Sequence, residues 1–301
     1  MRITLLILLL LSAYPLWAQQ EVLYSQYLTN PLAINPAVAG SRESFMLTGM
    51  LRRKWFGVRG APVTQSFAAD GTVANGRVGL GFQALNDRMG FFNTTGIYGS
   101  VAYRFALPAL ARLSVGVQGG VNILPFQSQN SSTLNQTQLS LGVGVYYKSD
   151  RFFVGVSMPE LAGKLPGLVQ SGAVVRLPGI QPVMVQVGVP LSVGDNAVLI
   201  PSVLVSKLIG TAARPVGVDL NLQLWLQEQI GFGLSYRYNT PGLIQTNYLY
   251  AQAQYQLTKA LRLSYQFYSQ TPENPNASLY FQTSVHEIGI RFSPNTLTFT
   301  R

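Results

Sequence analysis

The sequence predicts an all-β protein, a transmembrane antiparallel β-barrel of about fourteen strands with short periplasmic turns and long extracellular loops. Three observations support this prediction. Apolar side chains recur at every second residue, charged side chains are scarce, and short connections between the strand-like segments alternate with longer ones. Together these features are typical of a closed wall with lipid on one side and water on the other.

The clearest alternation lies in residues 215–238, on both sides of a turn at residues 227–229. Apolar residues occupy one face of this stretch: Val216, Val218, Leu220, Leu222, Leu224, Leu226, Ile230, Phe232, Leu234, Tyr236 and Tyr238. Successive residues of a strand face opposite sides, so the polar and small residues between them face the lumen. A three-residue turn sets Leu226 opposite Ile230, and counting back places Asp219 opposite Arg237. We therefore predict an inward charge pair.

The composition indicates that this surface is not built to face water on all sides. Of 301 residues, 48% are hydrophobic and 11% are charged, whereas about a quarter are charged in an average soluble protein. After the N-terminal segment, no run of about eighteen apolar residues appears, so helical membrane spans are excluded. A closed barrel is the other structure that satisfies every backbone polar group inside lipid. The net charge is +10, but basic residues do not cluster with aromatic ones, so no nucleic-acid partner is expected.

The N-terminus reads as a cleavable signal peptide, with Arg2, an apolar stretch at residues 3–11 and a cleavage point after Ala18. The predicted organisation is a signal peptide (1–18), a periplasmic leader or plug segment (19–43), an outer-membrane β-barrel (44–293) and a C-terminal tail (294–301). The chain contains no cysteine, so we expect no lipid anchor on cysteine, no disulfide and no thiolate metal site.

The connections predict the orientation of the barrel. Short ones fall at residues 74–76, 107–109, 149–150, 194–196, 227–229 and 258–259, and longer ones at 57–63, 86–93, 126–137, 159–181, 239–245 and 270–282. In outer-membrane barrels the short turns are periplasmic, so both chain ends are predicted to be periplasmic. The segment at residues 197–207 is poorly phased because Pro201 lies inside it.

Several short motifs occur in a fixed order along the chain. They are Tyr24-Ser25-Gln26-Tyr27, Asn30-Pro31-Leu32, Ile34-Asn35-Pro36-Ala37, Lys54-Trp55, Gly60-Ala61-Pro62, Gly79-Leu80-Gly81, Asn86-Asp87-Arg88-Met89-Gly90, Asp150-Arg151-Phe152-Phe153, Asp219-Leu220-Asn221 and His286-Glu287-Ile288. In this order, over nearly all of residues 19–292, the chain resembles the PorP/SprF family of type IX secretion and gliding-associated outer-membrane proteins. It departs from that family's pattern by continuing beyond Phe292 instead of ending at a terminal aromatic residue.

This resemblance implies an integral outer-membrane protein, surrounded by outer-membrane lipid, with a non-enzymatic role in type IX secretion. It implies that the protein supports export of a cognate secreted protein, or holds it at the cell surface. The client implied is an adhesin-like surface protein with a C-terminal sorting domain, and the secretion and gliding machinery are the other partners. The alternative is a passive porin-like channel for small solutes.

Residues in the leader are the main candidates for a functional segment, either as a plug folded into the lumen or as a contact for a periplasmic partner. A second candidate lies at the first external loop, where an aromatic residue sits on a loop shaped by glycine and proline. Either it anchors a partner or it is an interfacial tryptophan. The residues concerned are Tyr24, Tyr27, Asn30, Pro31, Asn35, Pro36 and Arg42 in the leader, and Trp55 and Pro62 at the loop.

Charged residues at inward positions of the strands predict a charge network in the lumen. The set is Arg77, Arg104, Arg112, Asp219, Arg237, Arg262, Glu287 and Arg291. Such a network either plugs or filters the lumen or is simply solvated by water inside it. His286, the one histidine, shares the outward face of its strand with Ile288 and Ile290, and no nucleophile or carboxylate converges with it. No catalytic, cofactor-binding or metal-ligating residue is predicted.

Overall fold

The computed structural model describes residues 26–55, 59–90, 92–127, 133–161, 168–170, 173–175, 181–209, 216–239, 247–270 and 284–294. The predicted signal peptide, Tyr24 and residues 295–301 of the predicted tail lie outside this set. No helix among the described residues is long and apolar enough to cross a membrane.

Seventeen β-strands make up the described structure. In chain order they are β1 Met46–Lys54, β2 Val63–Val73, β3 Val78–Met89, β4 Phe92–Ala106, β5 Arg112–Gln127, β6 Thr133–Lys148, β7 Phe153–Met158, β8 Leu168–Gln170 and β9 Ala173–Val175. They continue with β10 Gln181–Gly188, β11 Leu191–Val193, β12 Ala197–Ile209, β13 Val216–Leu226, β14 Ile230–Asn239, β15 Tyr248–Gln256, β16 Leu261–Gln270 and β17 Ser284–Phe292. Strands β8 and β9 pair only with each other, and all the others belong to one antiparallel sheet.

The sheet is closed into a barrel. Sequential neighbours pair around the ring, β1 pairs with β17, and β12 pairs with both β10 and its continuation β11. The wall therefore has fourteen strands, counting β10 and β11 as one interrupted strand. This confirms the predicted fold class.

Because the first and last strands pair to close the barrel, we predict that a disulfide can be introduced between their ends. The hydroxyl oxygens of Ser44 and Ser293 lie 2.9 Å apart, just outside the ends of β1 and β17. Because the native chain has no cysteine, the double variant Ser44→Cys with Ser293→Cys should form a single disulfide on oxidation. Non-reducing gel mobility of the denatured protein measures it. Pairing Ser44→Cys with Ser235→Cys, a site on β14, is the control and should stay reduced.

The hairpin of β13 and β14 has the register that the sequence predicts. Leu226 faces Ile230 across a turn at residues 227–229, and Asp219 faces Arg237. The Arg237 guanidinium donates from Nε and Nη2 to the two carboxylate oxygens of Asp219, and both residues are buried. Gln227 and Glu228 have φ values of 50° and 54°, the left-handed backbone that this tight turn needs.

Side chains alternate across the wall as predicted from the two-residue rhythm. On β13 and β14, Leu222 and Phe232 are exposed on the outside, whereas Asn221 and Ser235 are buried on the inside. The apolar side chains of the exterior are covered by lipid and so are not exposed to water, and the polar side chains of the interior form hydrogen bonds within the barrel.

Two of the predicted long loops are instead mostly strand. The loop predicted at residues 86–93 is wrong, because β3 runs to Met89 and β4 begins at Phe92. The loop predicted at 126–137 is shortened in the same way, since β5 and β6 stay paired out to Gln127 and Thr133. The outer ends of β3 and β4 carry polar side chains in cross-strand contact, such as Asn86 donating to Asn93 Oδ1 at 2.8 Å. The alternation of apolar residues therefore ends before the strands end.

Proline interrupts the wall at β10–β12. Pro201 lies within β12, paired with Leu222 on one side, and its carbonyl accepts from Val189 N at 3.0 Å on the other. Pro190 follows at once and separates β10 from β11. Proline has no N–H for the ladder, which explains why the phase of this segment is hard to read.

Candidate functional site: the filled lumen

Residues 26–43, named here the lumen segment, lie inside the barrel and run from its long-loop half to its short-turn rim. Two 3-10 turns shape it, Pro31–Ala33 and Pro36–Val38, each starting with proline after asparagine. Proline suits the first position of a helical turn because its missing N–H has no partner there. Its buried apolar residues are Tyr27, Leu32, Ala33, Ile34, Pro36, Ala37, Val38 and Ala39.

Side chains of β15–β17 hold the segment at Thr29. The Thr29 hydroxyl accepts from Gln252 Nε2 at 2.9 Å and from Gln266 Nε2 at 2.6 Å, and the Thr29 carbonyl accepts from Arg291 Nη2. Asn221 Nδ2 on β13 donates to the Tyr27 hydroxyl at 2.7 Å. All six residues are buried, so these bonds form away from water, where leaving them unmade would be costly.

Gln26 joins the segment to the two strands that flank β1, namely β2 and β17. Ser66 Oγ on β2 donates to Gln26 Oε1 at 2.6 Å, and Gln26 Nε2 donates to Glu287 Oε2 at 3.4 Å. Further along, Gln83 Nε2 on β3 donates to the Leu32 carbonyl at 3.0 Å. These contacts place the start of the described segment in the long-loop half of the lumen.

Glycines of the inner wall let the segment approach closely. A β-carbon at Gly79 would lie 1.9 Å from the Ala39 carbonyl oxygen, one at Gly116 would lie 2.4 Å from Ala37 N, and one at Gly144 would lie 2.1 Å from Asn35 Oδ1. Real β-carbons do not approach other atoms so closely, so only glycine fits these places. The small residues of the Gly79-Leu80-Gly81 motif are thus explained by packing.

Asparagine and serine side chains fix the same region by hydrogen bonds. Asn35 Nδ2 donates to the Val145 carbonyl on β6 at 3.1 Å, and its Oδ1 accepts from Ala37 N at 2.9 Å. Ser157 Oγ on β7 donates to the Ile34 carbonyl at 2.6 Å. The segment is therefore bonded to β6 and β7, at one side of the glycine-lined wall.

Charged groups surround the segment where it reaches the short-turn rim. Glu43 Oε1 accepts from Arg104 Nη2 at 3.1 Å and also contacts Arg112 Nε. Gly40 N donates to Asp70 Oδ2 at 3.1 Å. Burial lowers the pKa of Arg42, and the nearby Asp70 carboxylate opposes that shift. At the other end of the segment, burial raises the pKa of Tyr27 well above its ordinary value, so this phenol stays neutral.

Most of the predicted lumen charges are buried inside the wall: Arg104, Asp219, Arg237, Arg262, Glu287 and Arg291. Arg112 is half-buried at the rim. Arg77 is a correction, because it is exposed on the short turn before β3 begins at Val78. Arg262 stacks over Trp225, with its guanidinium carbon 4.3 Å from the ring centroid.

One buried arginine was missed in the sequence. Arg52 lies directly opposite Glu287 in the pairing of β1 with β17, and its guanidinium carbon lies 5.4 Å from the Tyr268 ring centroid. The alternation of β1 could have revealed it, since Arg52 shares the inward phase of Thr48 and Met50.

The other predicted residues lie away from the lumen segment. Trp55 follows β1 with a φ of 52°, and its backbone N–H donates to the Ser284 carbonyl at 3.0 Å. The Pro62 carbonyl accepts from Lys54 N at 3.0 Å, so both residues stabilise the long-loop end of β1 and β2. His286 faces outward, and its Nδ1 lies 2.7 Å from the Tyr265 hydroxyl. No group of three His, Cys, Asp or Glu side chains in the described part of the chain is placed to hold a metal.

A closed antiparallel wall with an apolar exterior and a polar interior defines an outer-membrane β-barrel protein. Similar solved structures include Omp33 of Acinetobacter baumannii, with 10% identity, a TM-score of 0.51 and coverage of 83% of this chain and 98% of that one. A deletion mutant of the monoaromatic hydrocarbon channel TodX has 11% identity, a TM-score of 0.51 and coverage of 93% of this chain and 95% of that one. The toluene transporter TbuX of Ralstonia pickettii has 9% identity, a TM-score of 0.51 and coverage of 90% and 93%.

At such low identity these likenesses show the fold alone. The chain belongs to the PorP/SprF family of type IX secretion system membrane proteins, whose family model matches residues 16–292. This confirms the resemblance seen in the sequence, and together with the fold it supports an outer-membrane component of type IX secretion. No curated protein sequence matches the chain.

Proposed function

We propose that this protein has a non-enzymatic role in type IX secretion, in which it supports export of a cognate secreted protein or holds it at the cell surface. The client is an adhesin-like protein with a C-terminal sorting domain, and the secretion and gliding machinery are the other partners. Family membership over residues 16–292 is the observation that carries this proposal.

The lumen segment limits the ways in which the barrel could support export of a client. The buried hydrogen bonds at Thr29 and the close packing at Gly116 leave the space inside the wall occupied by the chain itself. A folded or extended client would have to displace these contacts to pass through. The protein therefore acts beside the client's path, as an anchor or an assembly partner.

Affinity purification from detergent-solubilised outer membranes tests this proposal. A tagged full-length protein, expressed in its native host, should co-purify a large secreted surface protein and type IX secretion components, identified by mass spectrometry. Untagged cells and a tagged unrelated outer-membrane barrel are the controls. Recovery of the tagged protein without any partner absent from both controls would contradict the proposal.

The alternative is a passive channel for small solutes, a role similar to those of the hydrocarbon channel TodX and the toluene transporter TbuX. It requires an open path through the wall and no stable protein partner. The contacts of the lumen segment with strands on both sides of the ring argue against such a path.

A further inference from the structure

We propose that the lumen segment is a built-in plug, seated in a glycine groove of the inner wall, which keeps the barrel closed to solutes in the resting protein. This inference goes beyond the proposed role in secretion and does not depend on it. It rests on the width of the barrel, on the fit of the segment to one side of the wall and on the bonds from the other side.

The number of strands sets the width of the barrel. A barrel of about eight strands is filled by its own side chains, whereas about 16–18 strands leave an aqueous channel. The present wall has fourteen strands, so inward side chains alone would leave water-filled space along the axis. Residues 26–43 occupy that space, and the buried Tyr27, Leu32 and Ile34 supply apolar volume that the polar wall lacks.

The glycine groove shows that the wall is shaped for this segment. It consists of inward glycines on β3, β5 and β6, namely Gly79, Gly116 and Gly144, which meet Ala39, Ala37 and Asn35 in turn. Gly81 adds a fourth place, where a β-carbon would lie 2.9 Å from Leu32 Cδ2. From Asn35 to Ala39 the contacts move in order from β6 through β5 to β3, and Leu32 packs against β3 as well. The groove therefore fits a backbone folded by the two 3-10 turns.

The strands on the opposite side of the barrel, β13 and β15–β17, bind the segment by hydrogen bonds. Donors from β13, β15, β16 and β17 reach Tyr27 and Thr29, as described above. The segment is thus fixed between two sides of the lumen, and its C-terminal end is tethered where Glu43 contacts Arg104 and Arg112 before β1 begins. Solute passing along the axis would meet this bridge of packed chain.

Single-channel recording of the full-length protein in planar lipid bilayers tests the plug. The wild type should show no steady open current. Gly116→Val adds bulk on the wall and Ala37→Phe adds bulk on the segment at the same contact, so both should unseat the plug and raise the mean current severalfold. Gly119→Val and Gly99→Val are matched controls on the outward face of β5 and β4, where an added β-carbon meets no atom closer than 3.9 Å.

Folding of each variant is checked by its resistance to unfolding in detergent before heating. The proposal is overturned by a steady porin-like current in the wild type, or by a folded Gly116→Val protein whose current equals that of Gly119→Val. If both bulky variants fail to fold, the wild-type current alone decides. Because partner capture is measured separately, a silent wild type without any client would refute the proposed function and leave the plug standing.

Discussion

Replacing Arg237 with alanine is expected to lower the free energy of unfolding by about 3–5 kcal/mol, because it leaves the Asp219 carboxylate buried without its partner. Both side chains are buried, and the guanidinium contacts both carboxylate oxygens. The Tyr248 ring, with its centroid 5.3 Å from the guanidinium carbon, covers the pair from one side. Water therefore has little access with which to solvate a lone carboxylate.

Urea unfolding of the protein in detergent micelles or lipid vesicles measures this loss. The double variant Asp219→Asn with Arg237→Gln removes both charges and keeps polar groups in place, so it should lose less than the single variant. Arg77→Ala, on an exposed turn, is the matched arginine control and should behave as the wild type. A loss at Arg237 within about 1 kcal/mol, as expected of an exposed ion pair, would show that the pair is hydrated.

Arginine in place of Leu222 is expected to destabilise the folded barrel by about 2–4 kcal/mol, the range for a charge near the bilayer midplane. Leu222 is exposed on the outside of β13 and lies opposite Leu234 of β14, in an aliphatic part of the wall. Lipid chains would cover this place in the membrane, and the guanidinium would have to leave water to occupy it.

Depth supplies the control for this prediction. Leu226 has the same outward orientation on the same strand but adjoins the short turn at residues 227–229, so Leu226→Arg should cost about 0–1 kcal/mol. Folding equilibria in lipid vesicles measure both variants. Equal losses at the two positions would contradict the placement of β13 across the membrane.

Much of the wall follows from the sequence because one physical rule acts on every strand. Lipid outside demands apolar residues at alternate positions, so the β13–β14 hairpin and its Asp219–Arg237 pair can be derived by counting from the turn. Beyond the part of a strand that lipid covers, apolar residues no longer alternate, and the strand cannot be predicted from the sequence. The outer part of β6 contains an unbroken polar run from Asn135 to Gln138, so its pairing with β5 cannot be distinguished from a loop by periodicity.

The interior was harder to predict because its contacts join residues far apart in the chain. Thr29 is bonded to Gln252 and Gln266, and nothing in the local sequence of the leader indicates these partners. The two Asn-Pro pairs correctly indicate turns but leave open where the turns are placed. The sequence predicts a short connection at residues 74–76 and so places Arg77 in the next strand, whereas the turn extends through Arg77 itself.

The barrel wall has lipid outside and the lumen segment inside, and two neighbouring residues of β7 test both features. Val156 is exposed on the outer face, and Ser157 is 4% exposed beneath the lumen segment. In lipid vesicles, cysteine at Val156 should react with a membrane-partitioning thiol reagent alone, and cysteine at Ser157 should react with neither this reagent nor a water-soluble one. Unfolding should make both reactive. Rapid reaction of a cysteine at 157 with the water-soluble reagent in the intact protein would contradict the filled lumen, and equal behaviour of both sites would contradict the two-faced wall.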